Sequence, residues 1–327
     1  MFLVSIIIPV YNREDTLPRL FDSLRAVDYR PLEIIFVDNA SKDNSRALCE
    51  QFCKDYSDAN IAADAPLDAS NDAVALLLDC PKAGACAARN IGLAAAKGEY
   101  CCFFDSDDEF SADFIPSMLE SIGDADVCLA RTRLFFPDGS SRVRAGWKNP
   151  TIYDHLLALN ISTQTFLVKT EYIRAIGGWH EDLMIWQDYE LGLRLLSGQC
   201  ILCQGTPNLT VENPRLAWNK KVFHRIYQHP ESITGMSFSD SFDNIKDALE
   251  VILAEAFALF DKKATCALIY RVAILRGRLM IEGNPDLAKR LPLDIRDFWP
   301  MFLVWYVSHG GRGGWRLGRF ALHFIRS

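Results

Sequence analysis

The sequence predicts an α/β protein: a mostly parallel sheet flanked by helices over residues 1–235, then a helical C-terminal region over residues 236–327. Three observations predict it. Apolar, β-branched runs alternate with segments of helical spacing through the first 110 residues, the pattern of a parallel sheet with helices on both faces. Aspartates stand at the carboxyl ends of two of these runs, where such sheets bind ligands. After residue 236 the spacing turns helical: FDNIKDALEVILAEAFALF carries apolar residues at i, i+3, i+4 and i+7.

The elements follow in order. LVSIII (3–8) reads as a buried strand closed by Pro9. In NREDTLPRLFDSLRAV, Leu17, Leu20, Phe21 and Leu24 have helical spacing, with Asn12 a candidate cap and Glu14 and Asp15 in the first turn. LEIIFVDNAS is a second strand ending at Asp38, and Ser41 to Tyr56 the next helix. A polar connection at 57–72 leads to AVALLLD (73–79), the third strand. ACAARNIGLAAAKG is a small-residue helix stopping at Gly98, and EYCCFFDSDD a fourth strand with acids at its end. Beyond 110 the alternation breaks. DVCLARTRLFF (126–136) reads as a strand before a PDGS turn, GGWHEDLMIWQDYELGLRLLSG as a loop feeding an amphipathic helix, and QCILC as a strand.

Composition bounds the function. The 327 residues suffice for one large domain, or a main domain with a smaller one. With 50% hydrophobic and 24% charged residues the chain is ordinary globular protein, and a net charge of −7 argues against a nucleic-acid binder. Small-molecule partners are expected instead. The ten cysteines lie in apolar patterns, and Cys200 and Cys203 have no second pair nearby. That is the usage of reduced core thiols rather than of a zinc site. MFLVSIIIPVYN has neither basic flank nor cleavage site, and WPMFLVWYV falls short of the ~20 apolar residues that span a bilayer. A cytoplasmic location is expected.

FFDSDDEF (103–110) gathers Asp105, Asp107, Asp108 and Glu109 after two phenylalanines. Such acids can simply turn a strand end toward water. They are also what Mg²⁺ or Mn²⁺ needs, since these ions take oxygen ligands from few carboxylates while substrate phosphates complete the shell. Asp105 and Asp107, one residue apart, face one side of an extended segment.

VSIIIPVYNREDTL, LEIIFVDNASKDNS, AARNIGLAAAKGEYCCFFDSDD and IWQDYELGLRLL, in that order, resemble the motifs of the family 2 glycosyltransferases, over roughly residues 3–235. The resemblance implies the GT-A fold and inverting sugar transfer from a nucleotide-sugar donor, a UDP-sugar, to a surface glycan or lipid-linked acceptor. It implies that Asp38 accepts a hydrogen bond from the uracil N3–H. Pro9, Val10, Tyr11, Asn12 and Glu14 would surround base and ribose, with Asn12 equally readable as a plain helix cap. Arg89 would pair with the donor diphosphate or with Asp105. Asp105 and Asp107 would hold the metal, with Ser106 at the donor, and Asp108 would assist or cap the next turn. Asp188 matches the general base. Relatives carry Glu-Asp where this chain has Gln187-Asp188, and Glu190 is a competitor with a surface or capping role as its alternative.

Trp179 and Trp186 are sugar-wall candidates, with core packing the alternative, and GGW is expected to form a mobile turn near the donor sugar. VFHRIYQHPESIT resembles the family's closing motif, which brings His229 toward metal or diphosphate, although Tyr227 stands where relatives often have arginine. The chain lacks the QxxRW motif and membrane helices of processive members, so single transfer is implied. Two other classes stand beside this reading. A nucleotidyltransferase would need a glycine-rich phosphate loop that IIIPVYNRE lacks, and a non-catalytic glycan-binding or scaffold relative would not need Asp107 and Asp188.

After Asp297 there is no acid, while Arg312, Arg316, Arg319 and Arg326 alternate with Trp299, Trp305, Tyr306, Trp315, Phe320 and Phe324. This tail suits either peripheral contact with an anionic membrane or packing back on the catalytic domain.

Overall fold

Strands covered on both faces read as unbroken apolar runs, and Val4–Val10 (β1) and Leu32–Asp38 (β2) are buried at every position. The computed structural model describes residues 1–61, 73–144, 148, 150–198, 214–228, 238–259, 261–291, 301–311 and 314–322. Between the first two strands runs Leu17–Arg25 (α1), which buries Leu17, Leu20, Phe21 and Leu24 as their spacing predicts. Its N-cap is Thr16, with a proline in the first turn where no N–H is needed. Asn12 is therefore not a helix cap, and Glu14 and Asp15 precede the helix. Ser45–Ile61 (α2) likewise starts later than expected, leaving 39–44 as a loop.

Ala73–Asp79 (β3), Ala85–Ala95 (α3) and Tyr100–Phe103 (β4) complete the alternating part. The strands β3, β2, β1 and β4 are parallel neighbours, with Asp38 opposite both Val10 and Asp79, and Phe103 opposite Ile7. Their carboxyl ends therefore open along one edge. A side chain on Gly92 of α3 would collide with Ile7, so the helix lies closer to β1 than alanine permits.

The chain continues through Phe114–Ile122 (α4), Val127–Phe135 (β5), Ser141–Val143 (β6), Ile152–Leu157 (α5), Phe166–Lys169 (β7), Thr170–Ala175 (α6), Gln187–Ser197 (α7) and Leu216–Tyr227 (β8). One sheet results, in the order β3-β2-β1-β4-β7-β5-β6, with β8 also paired to β5. The pairs β4–β7, β7–β5 and β5–β6 are antiparallel, whereas β5–β8 is parallel and bulged. The parallel expectation thus holds for the first four strands, while the centre is antiparallel. Four-residue strands such as β7 carry too little periodicity to announce themselves.

Backbone contacts divide the chain into two compact units. The first comprises 1–149, 161–182 and 197–229; the second comprises 150–160, 183–196 and 230–327. The single border expected at residue 235 does not describe this division, because α5 and most of α7 join the C-terminal helices. Those are Phe242–Leu259 (α8), Lys262–Ile281 (α9), Pro285–Arg290 (α10), Met301–Ser308 (α11) and Gly314–Leu322 (α12). α9 is capped by Asp261, which accepts from the Ala264 N–H at 2.7 Å. It buries Ala267, Leu268, Tyr270, Val272 and Ala273 and forms the centre of the second unit's core. In the tail, Leu322 is buried in this core and Arg319 pairs with Asp154 at 3.1 Å, whereas Trp305, Tyr306 and Phe320 are exposed. The described cysteines form no disulfide with one another. Cys200, Cys203, His229, Trp299, Arg312, Phe324 and Arg326 lie outside the described residues. No described helix is long and apolar enough to cross a membrane.

Candidate active site

The carboxyl edge of the first unit is stitched together by polar side chains from the loops after β1 and β2. The Asn12 backbone N–H donates to Ser41 Oγ at 3.1 Å, and Asn12 Oδ1 accepts from the Lys42 N–H at 2.7 Å. Glu14 Oε2 accepts from the Asn44 N–H at 2.9 Å, while the Glu14 N–H donates to Asp43 at 3.1 Å. Asn12 and Ala40 both adopt left-handed backbone, φ 50° and 61°, a strained choice for non-glycine residues that surrounding contacts must hold. Pro9 and Val10 are buried in β1, so these two offer a ligand only their backbone, while Tyr11 is exposed.

Asp38 ends β2 almost fully buried. Its Oδ2 accepts from the Ser41 N–H at 3.3 Å and lies 3.9 Å from Arg46, which also grips Asp79. Its Oδ1 is buried and accepts no hydrogen bond from any described residue. A buried carboxylate oxygen without a donor is costly, and places such a group in want of an N–H. Next to it, Asn39 accepts from the Gly84 N–H at 2.8 Å and donates to the carbonyls of Cys80 and Lys82, tying β2 to the start of α3.

Each acid of DSDDE meets a different partner. Asp105 accepts from Arg89 Nη2 at 2.7 Å, and Asp107 lies 3.3 Å from Arg13. Asp108 is sealed in: it accepts from Gln164 and from the Tyr227 N–H at 2.5 and 2.7 Å, and burial, reinforced by Asp107 and Asp105, pushes its pKa well above the carboxylate range. Glu109 accepts from the Tyr227 hydroxyl at 2.5 Å and neighbours Arg19 and Arg225. Ser106 is buried, and its carbonyl accepts from Thr16 at 3.1 Å. Asp105 and Asp107 keep 33% and 25% of their side chains exposed, so these two, and not Asp108, can reach a ligand. An exclusively oxygen donor set of two accessible carboxylates fits Mg²⁺ or Mn²⁺ with a diphosphate completing the shell. Among the described residues no cluster of three metal-ligating side chains occurs, so these residues by themselves do not supply a full shell.

Trp179 is not a sugar wall. It is 1% exposed, packed edge-on against Phe103, and its ring carries the Arg89 guanidinium 4.5 Å from the centroid. The core alternative holds, because Arg89 needs an apolar floor to present one face to Asp105. The glycine turn before it is anchored rather than mobile: Asn90 accepts from the Trp179 N–H and donates to its carbonyl, both at 2.8 Å, and donates to Glu181 at 2.9 Å. Glu181 in turn pairs with Lys82 at 2.8 Å.

Asp188 and Trp186 belong to the second unit. Asp188 is half-buried in the first turn of α7, and Trp186, just ahead, has φ 60°, a further strained residue beside a site candidate. Trp186 is half-buried and packs on Tyr189 with the Arg271 guanidinium 5.4 Å from its ring. Glu190 is neither a surface nor a capping residue. It is fully buried and bonded to Arg194 at 2.5 and 2.6 Å, which removes it from competition as a base.

Sequence reading missed Arg13, Arg46, Asn39 and Asn90. Arg13 sits between two named residues in YNRE and Asn39 directly follows Asp38, so position hinted at both. Nothing local marks Arg46 or Asn90, whose partners lie 33 and 89 residues away.

Comparison with known proteins accords with this geometry. The family model described as glycosyl transferase family 2 matches residues 5–169, half of the chain. Glycosyltransferase GlyG of Streptococcus pneumoniae is 31% identical over 129 residues, 39% of this chain and 38% of that protein. The amylovoran biosynthesis glycosyltransferase AmsB of Erwinia amylovora is 27% identical over 202 residues, 58% of this chain and 62% of that protein. The chain thus covers less than two thirds of these relatives. Among solved structures, S. aureus TarS 1–349 in complex with UDP superposes with a TM-score of 0.58 at 15% identity, covering 98% of this chain and 91% of that one. The mannosyltransferase PcManGT from Pyrobaculum calidifontis, in complex with GDP-Man and Mn²⁺, gives 0.54 at 15% identity over 98% and 79%. The fold is that of the GT-A glycosyltransferases.

Proposed function

The chain belongs to glycosyl transferase family 2, and from that premise we propose that it moves a sugar, with inversion, from a UDP-sugar to a hydroxyl of a surface glycan or lipid-linked acceptor. The observation that carries the donor reading is the buried Asp38 Oδ1 without a donor. It suits a base with a ring N–H, which uracil and guanine have and cytosine and adenine lack. TarS, with UDP, and PcManGT, with GDP-Man, bind one of each. Uracil is the smaller of the two, and the stitched loops around Asn12 and Ser41 stand beside Asp38.

Asp105 and Asp107 would hold Mn²⁺ or Mg²⁺ together with the donor. When bound, such an ion offsets the charge that develops on the leaving diphosphate. Arg89 and Arg13, already drawn to those carboxylates, share the diphosphate's charge from the protein side. Asn12 and Glu14 act by fixing the two loops, so they position the base-binding edge. Asp188 takes the proton from the acceptor hydroxyl as it attacks the anomeric carbon and the bond to the diphosphate breaks. The exposed Trp305, Tyr306 and Phe320, with Arg316, form a face for an anionic membrane that carries the acceptor. Deleting 298–327 should lower co-sedimentation with anionic vesicles, and unchanged co-sedimentation would remove that element.

The test is calorimetry with UDP, GDP, dTDP and CMP, each with and without Mn²⁺, on wild type, Asp38→Asn and Asp107→Ala. Expected is UDP binding that requires Mn²⁺ and Asp107 and weakens in Asp38→Asn. GDP in place of UDP would replace the donor while keeping the chemistry. Binding of none by a folded sample would overturn the reading in favour of a non-catalytic relative.

A further inference from the structure

Helix α9 carries Arg271, Ile274, Arg278 and Ile281 at steps of three, four and three residues, which places them on one face. Together with Val307 and Gly310, at and beyond the end of α11, they line a cavity of about 300 Å³, within the range of small-molecule pockets. α11 crosses close because Gly277 has no side chain; a Cβ there would collide with the Val307 carbonyl. The lining therefore has two chemistries, a pair of guanidiniums and an aliphatic wall.

Among the described residues the guanidiniums meet no counter-ion. Neither Arg271 nor Arg278 forms a salt bridge with a described carboxylate. Arg271 is half-buried, its Nη1 reaches the Leu157 carbonyl only at 3.4 Å, and its Nε is buried without a hydrogen bond. Its remaining neighbours are the rings of Trp186 and Tyr189 at 5.4 and 5.8 Å. Burial lowers its pKa, and the nearby Arg278 charge adds to this. Arg278 stands over the Phe238 ring at 4.8 Å. Glu282, one turn further on, accepts instead from the Phe238 and Ser239 N–H groups at 3.3 and 3.0 Å. Desolvating a cation without pairing it is costly, so the half-buried Arg271, with the exposed Arg278 adding like charge on the same wall, calls for an anion.

We propose that this cavity binds a phosphate ester bearing an apolar chain, with the phosphate between Arg271 and Arg278 and the chain along Ile274, Ile281 and Val307. A tetrahedral phosphate turns oxygens in several directions and so meets two guanidinium forks set apart on a cavity wall more readily than a planar carboxylate does. The chain is called for by Ile281, which lines the cavity and is 72% exposed, so an aliphatic group leaving the cavity would cover it. The same chemistry is offered by a membrane phospholipid headgroup and by a water-soluble phosphate ester. The site lies within the second unit and shares no residue with the carboxylate edge of the first, although Arg271 also stands against Trp186 and Tyr189 on either side of Asp188.

The experiment is calorimetry on the full chain in EDTA, which removes divalent ions from the first unit's carboxylates. The probes are dihexanoyl phosphatidic acid below its micellar concentration and inorganic phosphate, on wild type, Arg278→Gln, Arg271→Gln and Asp107→Ala. Expected is one phosphatidic acid per chain, bound about tenfold or more weakly by Arg278→Gln and Arg271→Gln, and unchanged by Asp107→Ala. Inorganic phosphate binding as tightly, with the same losses, supports the anion site and makes its source a soluble ester; much weaker phosphate binding makes it a lipid. Arg278 is exposed, so Arg278→Gln keeps the fold even where Arg271→Gln lowers the melting temperature. Wild-type affinity in Arg278→Gln, or no saturable binding of either probe, overturns the proposal. UDP binding would survive that failure, which separates the two sites.

Discussion

The two units differ in where their charged pairs close, although the second also has long-range polar contacts such as Arg319 with Asp154. In the first, polar partners are far apart in sequence and meet at one sheet edge: Arg89 with Asp105, Asn90 with Trp179, Asn12 with the loop after β2. In the second, the fully buried ion pair closes within one helical turn, Glu190 with Arg194, and the half-buried Arg271 meets no described carboxylate. Long-range polar pairs fix loops against one another and so preorganise an edge for a ligand. A pair inside one helix orders nothing but that helix. Under the proposed function, donor recognition falls to the first unit and the base comes from the second.

The sharpest way to break this comparison is Asp188→Asn. Sugar transfer should fall ~10²–10⁴-fold, while UDP affinity stays within about twofold, because only the proton acceptor is lost. Equal loss of UDP binding would show that the division of labour is wrong. Next in size is Arg194→Met, which strands Glu190 in the core and should cost ~3–5 kcal/mol in urea unfolding; the double variant Glu190→Leu/Arg194→Met should recover most of it. A double variant as unstable as the single one would mean the pair does more than satisfy itself.

Acid should weaken both units. His155 in the second is held at about 4 and His224 in the first at about 3, in each case by burial. His224 accepts from the Ser111 N–H among Phe104, Phe110 and Phe114, and His155 accepts from the Asn160 N–H. Both folded values lie below the ordinary histidine value. The unfolded chain therefore binds more protons, and stability that is complete above pH ~6.5 is lost toward pH 4 and below, by up to ~1.4 kcal/mol per pH unit for each histidine. Urea midpoints that do not move between pH 7 and pH 5 would contradict this. The smallest effect is Asn90→Ala, expected to cost ~1–3 kcal/mol and to speed amide exchange at Trp179. Unaltered exchange there would return the glycine turn to the mobile state expected from the sequence.

Much of the first unit was legible because its signals are local. Parallel strands buried on both faces spell themselves out as apolar runs, α1 shows its buried face in Leu17, Leu20, Phe21 and Leu24, and Asp38 and Asp105 stand at strand ends. The cap of α1 was misplaced because Asn12 is an equally good capping residue, and only its left-handed backbone and its bond to Lys42 assign it to the loop. Trp179 reads identically whether it walls a sugar or floors an arginine. α9 conceals its role because its basic and apolar residues are spread around the helix and mark no clear face.

By itself, then, the sequence determined the alternating strands and helices, the acidic strand ends and the family motifs, since each depends on residues within a few positions of one another. Tertiary structure alone decided which acid is accessible and which is sealed, that Arg13 and Arg89 face Asp107 and Asp105, that 150–160 and 183–196 join the C-terminal helices, and that two arginines share a cavity without a counter-ion among the described residues. Burial and charge pairing depend on what lies across space, and the partners here come from segments whose order along the chain says nothing of their meeting.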